Sequence, residues 1–181
     1  MLGMRQTLRL HPDSSCFAVT GIDVEALRSQ THGLVFAYTV TGAINDLAVP
    51  PMTAATRTDE LWRHTCFEAF VRSSQSAAYY ELNFAPSTQW AAYRFGAYRT
   101  DMRVATEIDA PRITMQSNPE RYVLRASVEL GQLQLSRGSR LRIGLSAVIE
   151  EIGGHRSYWA LAHPPGKADF HHSDSFALEV A

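Results

Sequence analysis

Residues 79–99, reading YYELNFAPSTQWAAYRFGAYR, bring carboxylate, amide, aromatic and guanidinium groups into one short run. Tyr79, Glu81 and Asn83 alternate with Tyr80, Leu82 and Phe84, so in an extended chain one face carries polar atoms while the other is apolar. Asn83 is the sharpest signal, because an amide inside an apolar strand must find hydrogen-bond partners or stay exposed. Trp90, Tyr93 and Arg94 follow, and Trp62 precedes. Aromatic planes beside guanidinium and amide donors are what recognition of a hydroxyl-rich ligand requires. The expected contact set is therefore Trp62, Glu81, Asn83, Trp90, Tyr93, Arg94 and His163. The competing reading makes Trp62, Trp90 and Trp159 core or edge aromatics, with Glu68 and Glu81 paired to Arg63, Arg72 or Arg94 across neighbouring strands.

A second polar run, HPPGKADFHHSDS at residues 163–175, offers imidazole and carboxylate groups. His163, Asp169, His171, His172 and Asp174 are candidate metal ligands by chemistry, but their spacing matches no metal motif. A loop rich in Pro, Gly, Ser and Asp more often caps its own backbone. His64 stands two residues before Cys66, which in a strand puts both on one face, yet nucleophilic catalysis needs a third group that spacing alone does not identify. HExxH, GxSxG, GxGxxG and the phosphate-binding loop are all missing. Catalysis is not the expected activity.

The elements that must position these groups are strands. Period-two alternation runs through Leu34, Phe36, Tyr38 and Val40; Phe67, Ala69 and Val71; Tyr122, Leu124, Ala126 and Val128; and Leu141, Ile143, Leu145, Ala147 and Ile149. Phe176, Leu178 and Val180 predict a closing strand. Turn-forming clusters such as Pro50-Pro51, Asn118-Pro119 and Gly153-Gly154 separate the segments. Only residues 23–29 read as a short helix, with Asp23 as its N-cap. Strand after strand without helical crossovers predicts an all-β, antiparallel β-sandwich of jelly-roll type, occupying residues 1–181 as one domain.

The whole-chain properties bound the function. The chain has 181 residues, a formal net charge of -1, 45% hydrophobic and 19% charged residues. That balance suits a globular protein, and no basic stripe announces a nucleic-acid partner. Two cysteines, Cys16 and Cys66, are too few for a disulfide framework. No apolar run approaches the length of a membrane span, so the expected location is cytoplasmic. A homodimer is compatible with all of this.

The run from Trp62 through Glu68, then residues 80–87, Trp90, Tyr93-Arg94-Phe95 and Tyr98-Arg99, resembles bacterial DOMON-like proteins related to family-nine carbohydrate-binding modules. The closing Trp159 to Pro164 and Asp169 to His172 are similar to the end of the same group. The resemblance implies a jelly-roll β-sandwich with a ligand-binding role, sugars and haem being the ligand classes of the wider superfamily. Related carbohydrate modules also hold calcium near the sugar, so calcium, haem or no cofactor all stay open. Haem would need an axial Met or His, for which Met102, Met115, His64 and His155 are available. The leading expectation is a protein that recognises a sugar or sugar-like small molecule. The alternative is a metal- or haem-binding protein, or an enzyme, using the histidine-rich closing segment.

Overall fold

The computed structural model describes residues 4–29, 33–131, 135 and 140–180. Because β-branched and aromatic residues recur at every second position, the chain buries its apolar groups as strands packed face to face. One sheet runs in the order β1 (Met4–Leu10), β2 (Val19–Arg28), β3 (Gly33–Gly42), β9 (Arg121–Glu129), β8 (Arg112–Asn118). The other runs β7 (Arg103–Val104), β6 (Trp90–Phe95), β5 (Tyr79–Phe84), β4 (Cys66–Ser73), β10 (Leu141–Glu150), β11 (Arg156–Ala160). The short β12 (Leu178–Val180) pairs with the start of β10. All strand pairs are antiparallel, and β1 joins the sheets by pairing with β2 along its length and with β11 at Arg9 and Leu10.

The main core lies between the sheets. Ile22, Val24, Phe36, Tyr38 and Leu124 from one layer meet Phe67, Ala69, Tyr80, Leu82, Phe84 and Leu145 from the other. Phe36 and Phe84 have ring centroids 5.9 Å apart, and Tyr38 and Phe67 are 5.0 Å apart. Tyr38 also donates its hydroxyl to the Glu68 carbonyl at 2.7 Å, tying the layers together beneath the polar strand. Tyr38→Phe is expected to destabilise the fold by about 1 kcal/mol, since the buried bond is lost and the ring is kept. Urea denaturation measures it; an unchanged midpoint would remove Tyr38 as a tie between the layers.

Residues 23–29 are not a helix. They continue β2, where Ile22, Val24 and Ala26 are buried and alternate with less buried neighbours. Pairing with β1 on one side and β3 on the other supplies more hydrogen bonds and packing than a brief isolated helix would, so tertiary context overrides the local preference of Glu-Ala-Leu-Arg. Asp23, instead of capping, accepts hydrogen bonds from Thr7 and Arg5. The closing strand is also shorter than expected: Phe176 lies outside β12 and packs on the outer face of the second sheet.

That outer face matters for function. β5 is buried on both sides, and β4 nearly so, not polar and solvated on one. Phe70, Tyr79, Ala91, Tyr93, Phe95 and Phe176 form a second apolar cluster there, with Leu61, Trp62 and Phe170 packed against it. Gly144 helps bring the covering segment close, because a Cβ at that position would sit 3.0 Å from the Ser175 carbonyl oxygen. Among the described residues no helix is long and apolar enough to cross a membrane.

Candidate functional site

Three strands of the second sheet build a polar floor on its outer face. In the β4–β5 ladder Glu68 stands opposite Asn83 and Phe70 opposite Glu81, and in the β4–β10 ladder Glu68 stands opposite Ser146. Cross-strand partners project to the same side of a sheet, so register alone collects Glu68, Glu81, Asn83 and Ser146. All four are buried, with Glu68 2% and Glu81 6% exposed. Ser146 donates its hydroxyl to Glu68 Oε2 at 3.2 Å, and Asn83 Nδ2 donates to Glu81 Oε1 at 3.0 Å. The Asn83 carbonyl oxygen has no hydrogen-bond partner.

Among the described residues no arginine forms an ion pair with this floor. Arg63 pairs with Glu60, Arg72 lies over the Phe176 ring, and Arg94 is on the opposite face of β6 over the Tyr80 ring. Burial therefore dominates both carboxyls. It pushes Glu81 up to about 7, against the smaller opposing effects of the Asn83 hydrogen bond and Arg99. Glu68 is raised well above the usual carboxylate range by burial first and the neighbouring Glu81 second. His171 Nε2 sits 3.6 Å from Glu81 Oε2. Burial, with Arg99 adding to it, brings this imidazole down to about 4, so around pH 6 the contact joins a protonated acid to a neutral base and is no ion pair.

Above the floor lies a cavity of about 550 Å³. Such a volume falls inside the range of roughly 300–1,000 Å³ usual for small-molecule sites. Trp62, on the 3₁₀ turn Leu61–Arg63, lines it and is braced edge-on by Tyr93 at 5.9 Å. Phe170, tilted against Tyr158 at 6.3 Å, supplies further aromatic lining. The loop bearing Phe170 and His171 is locked by Asp169, which accepts from Tyr98 at 2.5 Å, from Arg99 at 2.8 Å and from the His171 amide at 3.1 Å. The Arg99 amide donates to Tyr79 Oη at 3.2 Å, leaving the phenol's own proton for His171 Nδ1 at 2.8 Å. The imidazole proton is then assigned to Nε2, facing Glu81.

The residues singled out from sequence separate by face. Trp62 and Glu81 line the cavity. Tyr93 lies behind Trp62, donating its hydroxyl to Asp59, and Asn83 orients Glu81 from within the floor. Trp90 points the other way, into the core between the sheets, with the Arg57 guanidinium 4.1 Å from its ring centroid. Arg94 shares that side of β6. His163 hydrogen-bonds the Arg9 carbonyl through Nε2 at 2.8 Å, meets His11 edge-on at 4.9 Å and stands behind Phe170 at 6.5 Å without lining the cavity itself. Val148, Arg156, Tyr158 and Phe170 line the cavity without having been expected to, and Glu68 and Arg99 join it from outside the expected contact set.

The metal candidates do not converge. His171 is engaged by Tyr79, Asp169 by Tyr98 and Arg99, and His172 caps the Asp174 amide, while His163 lies elsewhere. Among the described residues no group of three or more His, Cys, Asp or Glu side chains is placed to hold one metal ion. His64 follows the 3₁₀ turn, is exposed, and bonds Glu150, so it does not share the strand of buried Cys66. Met102, Met115, His64 and His155 sit on separate segments.

No protein-family model matches the chain, and no curated protein sequence matches it. Solved structures of similar fold do exist. A candidate carbohydrate-binding protein from Bacteroides uniformis aligns with a TM-score of 0.63 at 14% identity, over 92% of this chain and 82% of that one. A family-nine carbohydrate-binding module from Caldicellulosiruptor kristjanssonii in complex with glucose aligns with a TM-score of 0.51 at 12% identity, over 95% and 82%. A family-nine module from the same organism in complex with cellotriose gives 0.50 at 12% identity, over 91% and 75%. These alignments establish the shared β-sandwich fold.

Proposed function

We propose that this protein binds a sugar or sugar-like small molecule in the cavity floored by Glu68 and Glu81. The observation that carries the reading is a pair of adjacent buried carboxyls, in ion-pair contact with no Lys or Arg among the described residues, beneath an aromatic-lined hollow. Burying such groups costs stability, and that cost is offset when a ligand completes their hydrogen bonds. A protonated carboxyl both donates and accepts, as a sugar hydroxyl does, and Trp62 offers a flat apolar plane to the C–H face of a ring. That glucose and cellotriose occupy proteins of the same fold adds support at the level of ligand class.

Binding fits better than glycoside hydrolysis. Hydrolysis by a carboxyl pair needs one group held as an acid and the other ionised as nucleophile or base. Here burial displaces both in the same direction, upward, so neither environment favours the ionised form that one of the pair would need. A thermal-shift panel beginning with glucose and cellotriose tests the proposal. A saturable rise in melting temperature with at least one saccharide is expected; no rise with any saccharide across acidic to neutral pH would refute it.

A further inference from the structure

We infer that the preferred saccharide carries an anionic group, a carboxylate or a phosphate ester, received by Arg156 beside Arg63 and Arg99. The inference rests on the cavity being a saccharide site. All three arginines line it, and no lysine does. Two of them already have an acid each: Arg63 Nη2 meets Glu60 at 2.7 Å and Arg99 Nη2 meets Asp169 at 2.8 Å. Arg156 makes no ion pair among the described residues; its hydrogen bond runs from Nη1 to the Arg63 carbonyl at 3.1 Å. Glu150 stands opposite Arg156 in the ladder, but its Oε2 is engaged by His64 at 2.7 Å. Among the described residues the Arg156 guanidinium is thus the arginine of the lining that holds no carboxylate within ion-pair distance, exposed and still offering N–H groups.

The rest of the lining does not cancel it. The two carboxyls there are buried in the floor, which disfavours their ionised forms, and burial holds the His171 imidazole below its ordinary value. A neighbouring hollow of about 480 Å³ shares Arg99 and Ala168 with the cavity and adds Lys167 together with Asp169, the carboxylate already paired with Arg99. A guanidinium fork matches the two oxygens of a carboxylate or phosphate, whereas a neutral sugar leaves its charge unanswered and an amino sugar is repelled.

Titration calorimetry on the full chain, with glucose, glucosamine, glucuronate and glucose 6-phosphate at low and high salt, tests this. At least one of the two acids is expected to bind about tenfold tighter than glucose, with affinity falling as salt rises. Whichever is tighter identifies the anionic group. Arg156→Gln, at an exposed position where folding should persist, is expected to cut that preference to about twofold or less. Glucose or glucosamine binding as tightly as both acids, or a preference that survives Arg156→Gln, would overturn the inference while leaving the saccharide site standing. Failure of every saccharide to bind would overturn both.

Discussion

Glu81→Gln is expected to gain stability relative to the natural protein by on the order of 3 kcal/mol as pH rises from 4.5 to 7.5. Glu81 is displaced from 4.5 to about 7 by burial, so over that window the folded state holds a proton that the unfolded state releases. Its contribution is full below the unfolded value and is lost as pH climbs through the folded one. His171 works in the opposite sense. Its folded value is brought down from 6.5 to about 4, so its burial costs stability at acid pH and that cost fades as pH rises. The natural protein's own profile therefore sums opposed effects, and the difference between the two proteins is what isolates Glu81. Glu68, raised partly by Glu81, adds in the same direction. Urea unfolding at several pH values gives the result. Parallel curves for the two proteins would show that Glu81 titrates normally, and hence that the floor is wetter than its packing indicates.

Trp62→Ala is expected to weaken saccharide binding by about 2 kcal/mol, roughly thirtyfold, while shifting the unfolding midpoint little. Trp62 is only partly buried and sits on a three-residue 3₁₀ turn at the edge of the outer cluster, so its loss opens no closed void. What is removed is the plane braced by Tyr93. Calorimetry with the best saccharide from the panel, run beside Trp90→Phe, separates recognition from packing. Trp90 belongs to the core between the sheets, so its substitution should lower stability more than affinity. The reverse ranking would place the ligand on the other side of β6.

The strands were readable because each repeats a simple alternation. Tyr80, Leu82 and Phe84 do enter the core between the sheets, and Tyr79, Glu81 and Asn83 do share the other face. Parity within β6 also held usable information: Trp90 and Arg94 fall on even positions and Tyr93 on an odd one, so the three cannot meet one ligand from a regular strand. Which parity faces the site was not readable, since that depends on register across the turn, where Phe84 pairs with Trp90 and Glu81 with Tyr93. Glu68 and Ser146 join the floor through the same long-range pairing, some 78 residues apart in the chain. Residues 23–29 misled because helix preference is local while β2 is fixed by two neighbouring strands. The covering segment around Asp169 and His171 has no periodicity to read. Its place comes from three hydrogen bonds to one carboxylate, which no spacing announces.

A crystal structure of the protein grown with its best-binding saccharide tests the central claim most directly. The sugar ring is expected against Trp62, with hydroxyls within hydrogen-bond distance of Glu81 and Glu68. A saccharide seated on any other face, with the hollow above those two carboxyls filled only by water, would contradict it.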